Sequence, residues 1–168
     1  KVAVLGSGVM GSRIACHFAG VGVQVLLLDI VPKEAVESTK PAERNKLVND
    51  ALQAAIKSNP SPIYTKDVTK RISTGNFTDN MKDIAGYDWI IEVVIERLDI
   101  KKQVFDNVEK FRKPGTLITS NTSGIPIHLM NEGRSEDFQK HFCGSHFFNP
   151  PRYLRLLEII PTPKTSPE

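Results

Sequence analysis

His146 and Glu158 are residue types that can act together as an oriented general base. Imidazole groups titrate near neutral pH and can take a proton from a hydroxyl group. A carboxylate bound to the ring fixes its orientation and stabilises its protonated form. His146 lies in the apolar run 142–148, and Glu158 follows in the run 154–160. We expect these runs to be two strands, joined by a Pro-rich turn that returns Glu158 to His146.

Each of these two residues also has an ordinary structural interpretation. A histidine between apolar residues is commonly a packed, hydrogen-bonded core residue, and a glutamate in a strand is commonly exposed at a sheet edge. Ser123, in the polar turn 121–124, could hydrogen-bond a substrate oxygen, but it could equally be a turn former or a helix N-cap. Residue type alone does not decide between these interpretations.

A glycine-rich turn near the N-terminus has the form GxGxxG, in the residues Gly6, Ser7, Gly8, Val9, Met10 and Gly11. It follows a strand-like run and opens a helical pattern, which is the context in which this motif binds a dinucleotide. Gly6 permits a tight turn, Gly8 lets the backbone approach a pyrophosphate, and Gly11 lets the helix pack closely. The helix N-terminus then offers N–H groups to the phosphates.

Asp29 ends the second apolar run, at the place where an acid accepts hydrogen bonds from the adenosine ribose. A carboxylate there repels a 2′-phosphate, and Ile30 and Val31 supply no arginine that would bind one. The pattern therefore favours NAD over NADP. The motif by itself also permits FAD, or a βα turn with a chance acid.

Hydrophobic patterning predicts the elements that position these residues. Apolar runs indicate strands over 1–5, 23–28, 71–75, 89–95, 116–120, 142–148 and 154–160, with helices over 9–20 and 98–111. The stretch 33–58 is helix-prone, with an apolar set of Leu47, Ala51, Leu52, Ala55 and Ile56. The alternation predicts an α/β fold with a doubly wound, mostly parallel sheet and a helical excursion after the second strand. The whole of 1–168 is expected to be one domain.

Composition limits the class of protein. Of the 168 residues, 40% are hydrophobic and 24% charged, which is typical of a globular domain. No apolar run reaches the roughly 18 residues of a membrane span, and no signal-peptide pattern is present. We expect a cytoplasmic protein with two buried, reduced thiols, Cys16 and Cys143, and no metal site. A net charge of +3 without a basic, aromatic stripe argues against nucleic-acid binding.

Three motifs in the second half resemble the 3-hydroxyacyl-CoA dehydrogenase family. They are Ser-Asn-Thr-Ser at 120–123, Gly-Ser-His-Phe-Phe-Asn-Pro at 144–150, and Glu-Val-Val-Ile-Glu at 92–96. The resemblance extends over about 1–163, and the run 152–158 is most similar to large bacterial forms fused to an enoyl-CoA hydratase region. It implies a Rossmann domain that binds NAD.

The resemblance also implies individual roles. The catalytic histidine falls on His146, its partner acid on Glu158, and a substrate-contacting serine on Ser123. NAD contacts fall on the glycine loop 6–11 and on Asp29, Glu96, Lys101, Ser123 and Asn149; Ile30 and Asn121 adjoin the same site. Glu92 is the alternative candidate for the acid that contacts NAD. Only the alignment with the family favours Glu96.

The resemblance further implies oxidation of L-3-hydroxyacyl-CoA to 3-ketoacyl-CoA in fatty-acid β-oxidation. A C-terminal helical domain would follow this sequence, supply a catalytic asparagine and form most of a homodimer interface, so that residues 1–168 alone would be inactive. The alternatives are a related hydroxybutyryl-CoA or small hydroxy-acid dehydrogenase, or a non-catalytic NAD-binding module. The excess of basic residues between Lys33 and Arg71 fits either a solvated helical hairpin or contact with CoA phosphates.

Overall fold

The computed structural model describes residues 1–167, which form one seven-stranded sheet with helices on both faces. The strands are β1 (Val2–Leu5), β2 (Val25–Asp29), β3 (Ile72–Asn76), β4 (Trp89–Glu92), β5 (Leu117–Ser120), β6 (Phe142–Phe147) and β7 (Leu157–Pro161). Their order across the sheet is β3-β2-β1-β4-β5-β6-β7. The first six strands are parallel, and β7 pairs antiparallel with β6. The predicted doubly wound, mostly parallel sheet is confirmed.

Residues 1–167 contain six α-helices: α1 (Val9–Gly20), α2 (Pro41–Arg44), α3 (Lys46–Ile56), α4 (Leu98–Phe111), α5 (His128–Asn131) and α6 (Glu136–Lys140). Helices α1 and α3 pack on one face, where Val4, Leu27 and Ile91 point. Helices α4, α5 and α6 pack on the other face, against Leu5, Ile90 and Ile118. Each central strand is therefore buried on both faces, as parallel sheets require.

The helical excursion after β2 differs from the continuous helical stretch predicted over 33–58. It consists of a 3₁₀ turn at Lys33–Ala35, the short α2, and α3, with a second 3₁₀ segment at Lys66–Arg71. Pro41 begins α2 because it lacks an N–H and disfavours helical geometry at the residue before it. Helix α3 buries Val48, Leu52 and Ala55, whereas Leu47, a member of the predicted apolar set, is 39% exposed.

The two strand boundaries that differ most from the prediction are the start of β7 and the end of β4. The sequence predicts β7 over 154–160, but it begins at Leu157, because the N–H groups of Tyr153 and Leu154 both donate to the carbonyl of Pro150 and prolong the turn. Strand β4 is predicted to reach Ile95 but ends at Glu92, where the Glu92 carboxylate accepts the Val94 N–H (2.7 Å) and turns the chain. In both places, residues predicted to lie in a strand instead belong to loops at the carboxyl edge of the parallel strands.

Both cysteines are free and buried, as predicted. Burial raises the pKa of Cys16 to about 11 and raises that of Cys143, which keeps both thiols protonated and unreactive near neutral pH. No helix in the described part of the chain combines the length and apolarity needed to span a membrane.

Candidate active site

A crevice of about 1040 Å³ lies at the carboxyl ends of the parallel strands. This edge is where ligands bind in open α/β sheets, since the loops there diverge on either side of the first strand. The predicted site residues that line it are Gly6, Gly8, Val9, Met10, Asp29, Ile30, Glu96, Asn121, Ser123, His146 and Asn149. Four others are not part of this lining: Ser7, Gly11 and Lys101 are buried, and the exposed Glu158 pairs with His146.

The glycine loop has the backbone geometry that the motif predicts. Gly6 has φ +108°, a conformation that side chains rarely adopt, and a Cβ on Gly11 would lie 1.8 Å from the Gly6 carbonyl oxygen. A Cβ on Gly8 would meet no heavy atom of residues 1–167 within 4 Å. The space in front of α1 is therefore open to a bulky anion, and the helix N-terminus faces it with unused N–H groups. The loop fits a dinucleotide pyrophosphate.

Asp29 holds the glycine loop as well as lining the crevice. Its Oδ2 accepts hydrogen bonds from the Ser7 N–H (2.6 Å) and the Ser7 hydroxyl (2.5 Å), and its Oδ1 accepts the Ile30 N–H (2.7 Å). Ser7 is only 2% exposed, so its contribution is to join β2 to the loop. Sequence reasoning assigns Asp29 to a ribose and does not detect this second bonding role.

His146 and Glu158 meet directly across β6 and β7, where they are register partners. The Glu158 Oε2 lies 2.8 Å from His146 Nδ1. The histidine side chain is 23% exposed and packs against the Phe148 ring at a centroid distance of 4.8 Å. If Nδ1 donates its hydrogen to the carboxylate, Nε2 carries the lone pair that accepts a proton. The predicted pairing of these two side chains is confirmed.

Glu96 organises the turn that carries Ser123. Its Oε1 accepts hydrogen bonds from the Thr122 hydroxyl, from the Ser123 N–H (3.1 Å) and from the Gly124 N–H (3.0 Å). Partial burial alone would raise the pKa of Glu96, but the bonds from Thr122 and Gly124 and the nearby Lys101 charge outweigh it and hold the pKa at about 2. The carboxylate is therefore ionised whenever the site operates.

Lys101 and Glu92 form a buried ion pair beneath this turn. Their side chains are 1% and 0% exposed, with Lys101 Nζ 2.8 Å from Glu92 Oε1 and 3.2 Å from Glu96 Oε2. Glu92 also accepts a hydrogen bond from the Ser120 hydroxyl (2.5 Å). Burial raises the pKa of Glu92, while Lys101 and the hydrogen bonds oppose that rise. Glu92 thus supports the site from below, and Glu96 is the acid that lines the crevice.

Asn121 fixes β6 relative to β5. Its Oδ1 accepts a hydrogen bond from the N–H of Phe147 (2.9 Å), the residue that follows His146 in the chain. The sequence signal for Glu92, Ser120 and Asn121 is their position at the ends of β4 and β5, since polar residues ending buried strands of one sheet must meet at the same edge.

Among residues 1–167, no group of three or more His, Cys, Asp and Glu side chains is placed to hold a metal ion.

Comparison with known proteins identifies the family. The family model described as 3-hydroxyacyl-CoA dehydrogenase, NAD binding domain, matches residues 1–168. The chain belongs to this family. It is therefore an NAD-binding Rossmann domain, and the nucleotide is the ligand that the glycine loop and Asp29 fit.

Relatives and solved structures agree with this assignment. The chain is 48% identical to a probable 3-hydroxyacyl-CoA dehydrogenase of Bacillus subtilis over all of its own length and 22% of the relative. It is 49% identical to a protein of the same name from Deinococcus radiodurans, over 47% of that relative. The crystal structure of 3-hydroxybutyryl-CoA dehydrogenase from Escherichia coli superposes with a TM-score of 0.74 at 31% identity, covering 99% of this chain and 33% of that one. The chain thus spans a fifth to a half of these relatives.

The low pKa of Glu96 leads to a prediction about stability and pH. A carboxyl group whose folded-state pKa lies below its ordinary 4.5 stabilises the fold above that value and loses this contribution as the pH falls toward about 2. Because the side chain is 42% exposed, we discount the shift for solvent screening and expect Glu96→Gln to cost about 1 kcal/mol at pH 7. Urea unfolding at several pH values measures this, and a cost that stays constant between pH 4.5 and pH 2 would contradict it.

Proposed function

We propose that the full-length protein containing this chain oxidises an L-3-hydroxyacyl-CoA to the 3-ketoacyl-CoA, as a step of fatty-acid β-oxidation. The observation that carries the proposal is the His146–Glu158 pair beside the dinucleotide crevice, since a module that only bound NAD would not need an oriented base. Bound NAD supplies the hydride acceptor. His146 takes the hydroxyl proton, Glu158 stabilises the imidazolium, and Ser123 donates a hydrogen bond to the substrate oxygen.

The remaining parts of the proposal concern regions and partners outside this domain. A following helical domain would close the crevice, supply a further catalytic residue and form a homodimer interface, which agrees with the greater length of the relatives. Residues 1–168 alone would then bind NAD without turnover. We place the enzyme in the cytoplasm, as expected from composition.

The full-length protein tests this proposal. We expect NADH absorbance to rise when L-3-hydroxyacyl-CoA substrates of several chain lengths are supplied with NAD, and no rise with the D-isomers. Turnover confined to hydroxybutyryl-CoA or to small hydroxy acids would favour the related dehydrogenases. Binding of NAD without turnover of any of these substrates would favour a non-catalytic module.

Asp29 leads to a prediction about cofactor choice. Replacing Asp29 with Ala removes an acceptor for the ribose, two bonds to the glycine loop and the bond to the Ile30 N–H, so we expect NADH affinity to fall about 10- to 100-fold. NADPH affinity should fall less or rise, because the repulsion of its 2′-phosphate is also lost. Fluorescence titration of both reduced nucleotides measures the two affinities.

Asp29→Asn is the matched variant for this measurement. It retains an oxygen that accepts from Ser7 but removes the charge, so it should lose discrimination against NADPH with a smaller loss of NADH affinity. An unchanged ratio of the two affinities in both variants would show that Asp29 does not select the cofactor.

A further inference from the structure

Arg13 joins the glycine-loop helix to two segments that are distant in the chain. It lies in α1, and its guanidinium donates to the Asn149 Oδ1 (3.0 Å, Nη1) and to the Ser58 hydroxyl oxygen (3.3 Å, Nη2). Asn149 begins the turn after β6 and lines the crevice, while Ser58 follows α3 within the excursion. One planar side chain therefore connects the helix, the excursion and the edge of the active site.

Both partners of Arg13 are held in place by other contacts. The Ser58 hydroxyl donates to the Ala55 carbonyl (2.7 Å), which fixes it to the last turn of α3. The turn that contains Asn149 is bound to the same excursion by Arg152, which donates to the carbonyls of Ser61 (2.8 Å) and Ile63 (3.0 Å) and lies 3.4 Å over the Tyr64 ring. Arg13 thus bridges two anchored segments.

The bond to Arg13 determines which way the Asn149 amide faces. A guanidinium carries only donors, so it can pair with the amide oxygen and not with the amide nitrogen. With Oδ1 bound to Arg13, Nδ2 and its two hydrogens are available to a ligand in the crevice that Asn149 lines. A ligand group that binds this nitrogen is an acceptor, such as a ribose hydroxyl or a carbonyl oxygen.

We propose that Arg13 is a positioning residue that orients Asn149, so that the Asn149 amide nitrogen donates a hydrogen bond to the nucleotide in the crevice. The inference rests on the proposed function for the identity of the nucleotide. Arg13 is not among the residues that line the crevice, and it acts through Asn149. Without it, the amide is free to rotate and to present its oxygen, which repels an acceptor.

A double-mutant cycle in the full-length protein tests whether Arg13 acts through Asn149. We expect Arg13→Met to weaken NADH binding about 5- to 10-fold, which is the loss of one well-placed hydrogen bond. In an Asn149→Ala background the same substitution should change the affinity by less than about twofold. Arg13→Lys keeps one donor for Asn149 and should recover part of the loss.

Arg71→Met is the matched control, because Arg71 donates to the Ala19 carbonyl at the opposite end of α1 (3.4 Å). It should leave NADH affinity unchanged, and thermal unfolding of all variants separates loss of fold from loss of binding. The inference is overturned if Arg13→Met changes affinity equally in both backgrounds, or not at all. If the wild type binds NADH without hydroxyacyl-CoA turnover, the proposed function fails while the cycle still decides the role of Arg13.

Discussion

Replacing His146 with Gln in the full-length protein is expected to lower kcat about 10²- to 10⁴-fold, the usual contribution of a positioned general base. Glutamine has a similar reach but cannot take the hydroxyl proton, so the substrate loses its proton acceptor. NADH affinity should change by less than about twofold, because the glycine loop and Asp29 bind the nucleotide elsewhere in the crevice. Steady-state kinetics and NADH titration measure the two quantities separately.

His141 provides a matched control for this substitution. It also pairs with a carboxylate, since its Nδ1 lies 3.4 Å from Asp137 Oδ1, but it follows α6 away from the crevice. His141→Gln should leave kcat unchanged. Glu158→Gln should lower kcat less than His146→Gln, because the imidazole remains and only its orientation and charge stabilisation are lost. Near-normal turnover in His146→Gln would remove this residue from the mechanism.

Replacing Lys101 with Met should produce the largest loss of stability. The substitution leaves Glu92 as a buried carboxylate without its cation, and breaking a buried pair in this way costs about 3–5 kcal/mol. It also removes the lysine contact to Glu96, so the turn at Ser123 should loosen and the KM for NAD should rise. Urea unfolding of the purified variant measures the first effect and initial-rate kinetics the second.

The charge of Glu92 can be removed as a control. A double variant, Glu92→Gln with Lys101→Met, contains no uncompensated charge and should recover a large part of the lost stability. In the single variant the loss should shrink as the pH is lowered, because burial raises the pKa of Glu92 and a protonated carboxyl group needs no cation. A loss that is independent of both pH and the second substitution would indicate a packing effect of the introduced methionine side chain instead.

The sheet could be predicted from the sequence because its central strands are buried on both faces. Runs such as 25–28 and 89–91 are continuously apolar and bounded by polar residues, so their identity is clear without tertiary information. The division of the excursion into short helices and the start of β7 could not be predicted in the same way. The sequence 154–157 is mostly apolar, with Arg155 between two leucines as in a strand, and only the bonds of the turn to the Pro150 carbonyl show where pairing begins.

The sequence predicted which residues form the site better than it predicted the hydrogen bonds and ion pairs between them. The resemblance of the motifs to a known family pointed to His146, Glu158 and Ser123, and the first two prove to be partners across β6 and β7. It did not reveal that Lys101 is buried, because a lysine in an amphipathic helix is usually exposed and its burial depends on the glutamate at the end of a different element. The Arg13 contact was equally hidden, because it connects residues that are far apart in the chain.

The cross-strand position of His146 and Glu158 makes their spacing a property of backbone pairing rather than of the connecting loop. Insertions or deletions in the exposed stretch Leu154–Leu156 would change the length of the connection and leave the two side chains opposed. A slip of one residue in the pairing of β7 would instead turn Glu158 to the other face of the sheet and disconnect it from the imidazole. The catalytic pair is therefore expected to tolerate a change in the length of this loop but not a change in the alignment of the two strands.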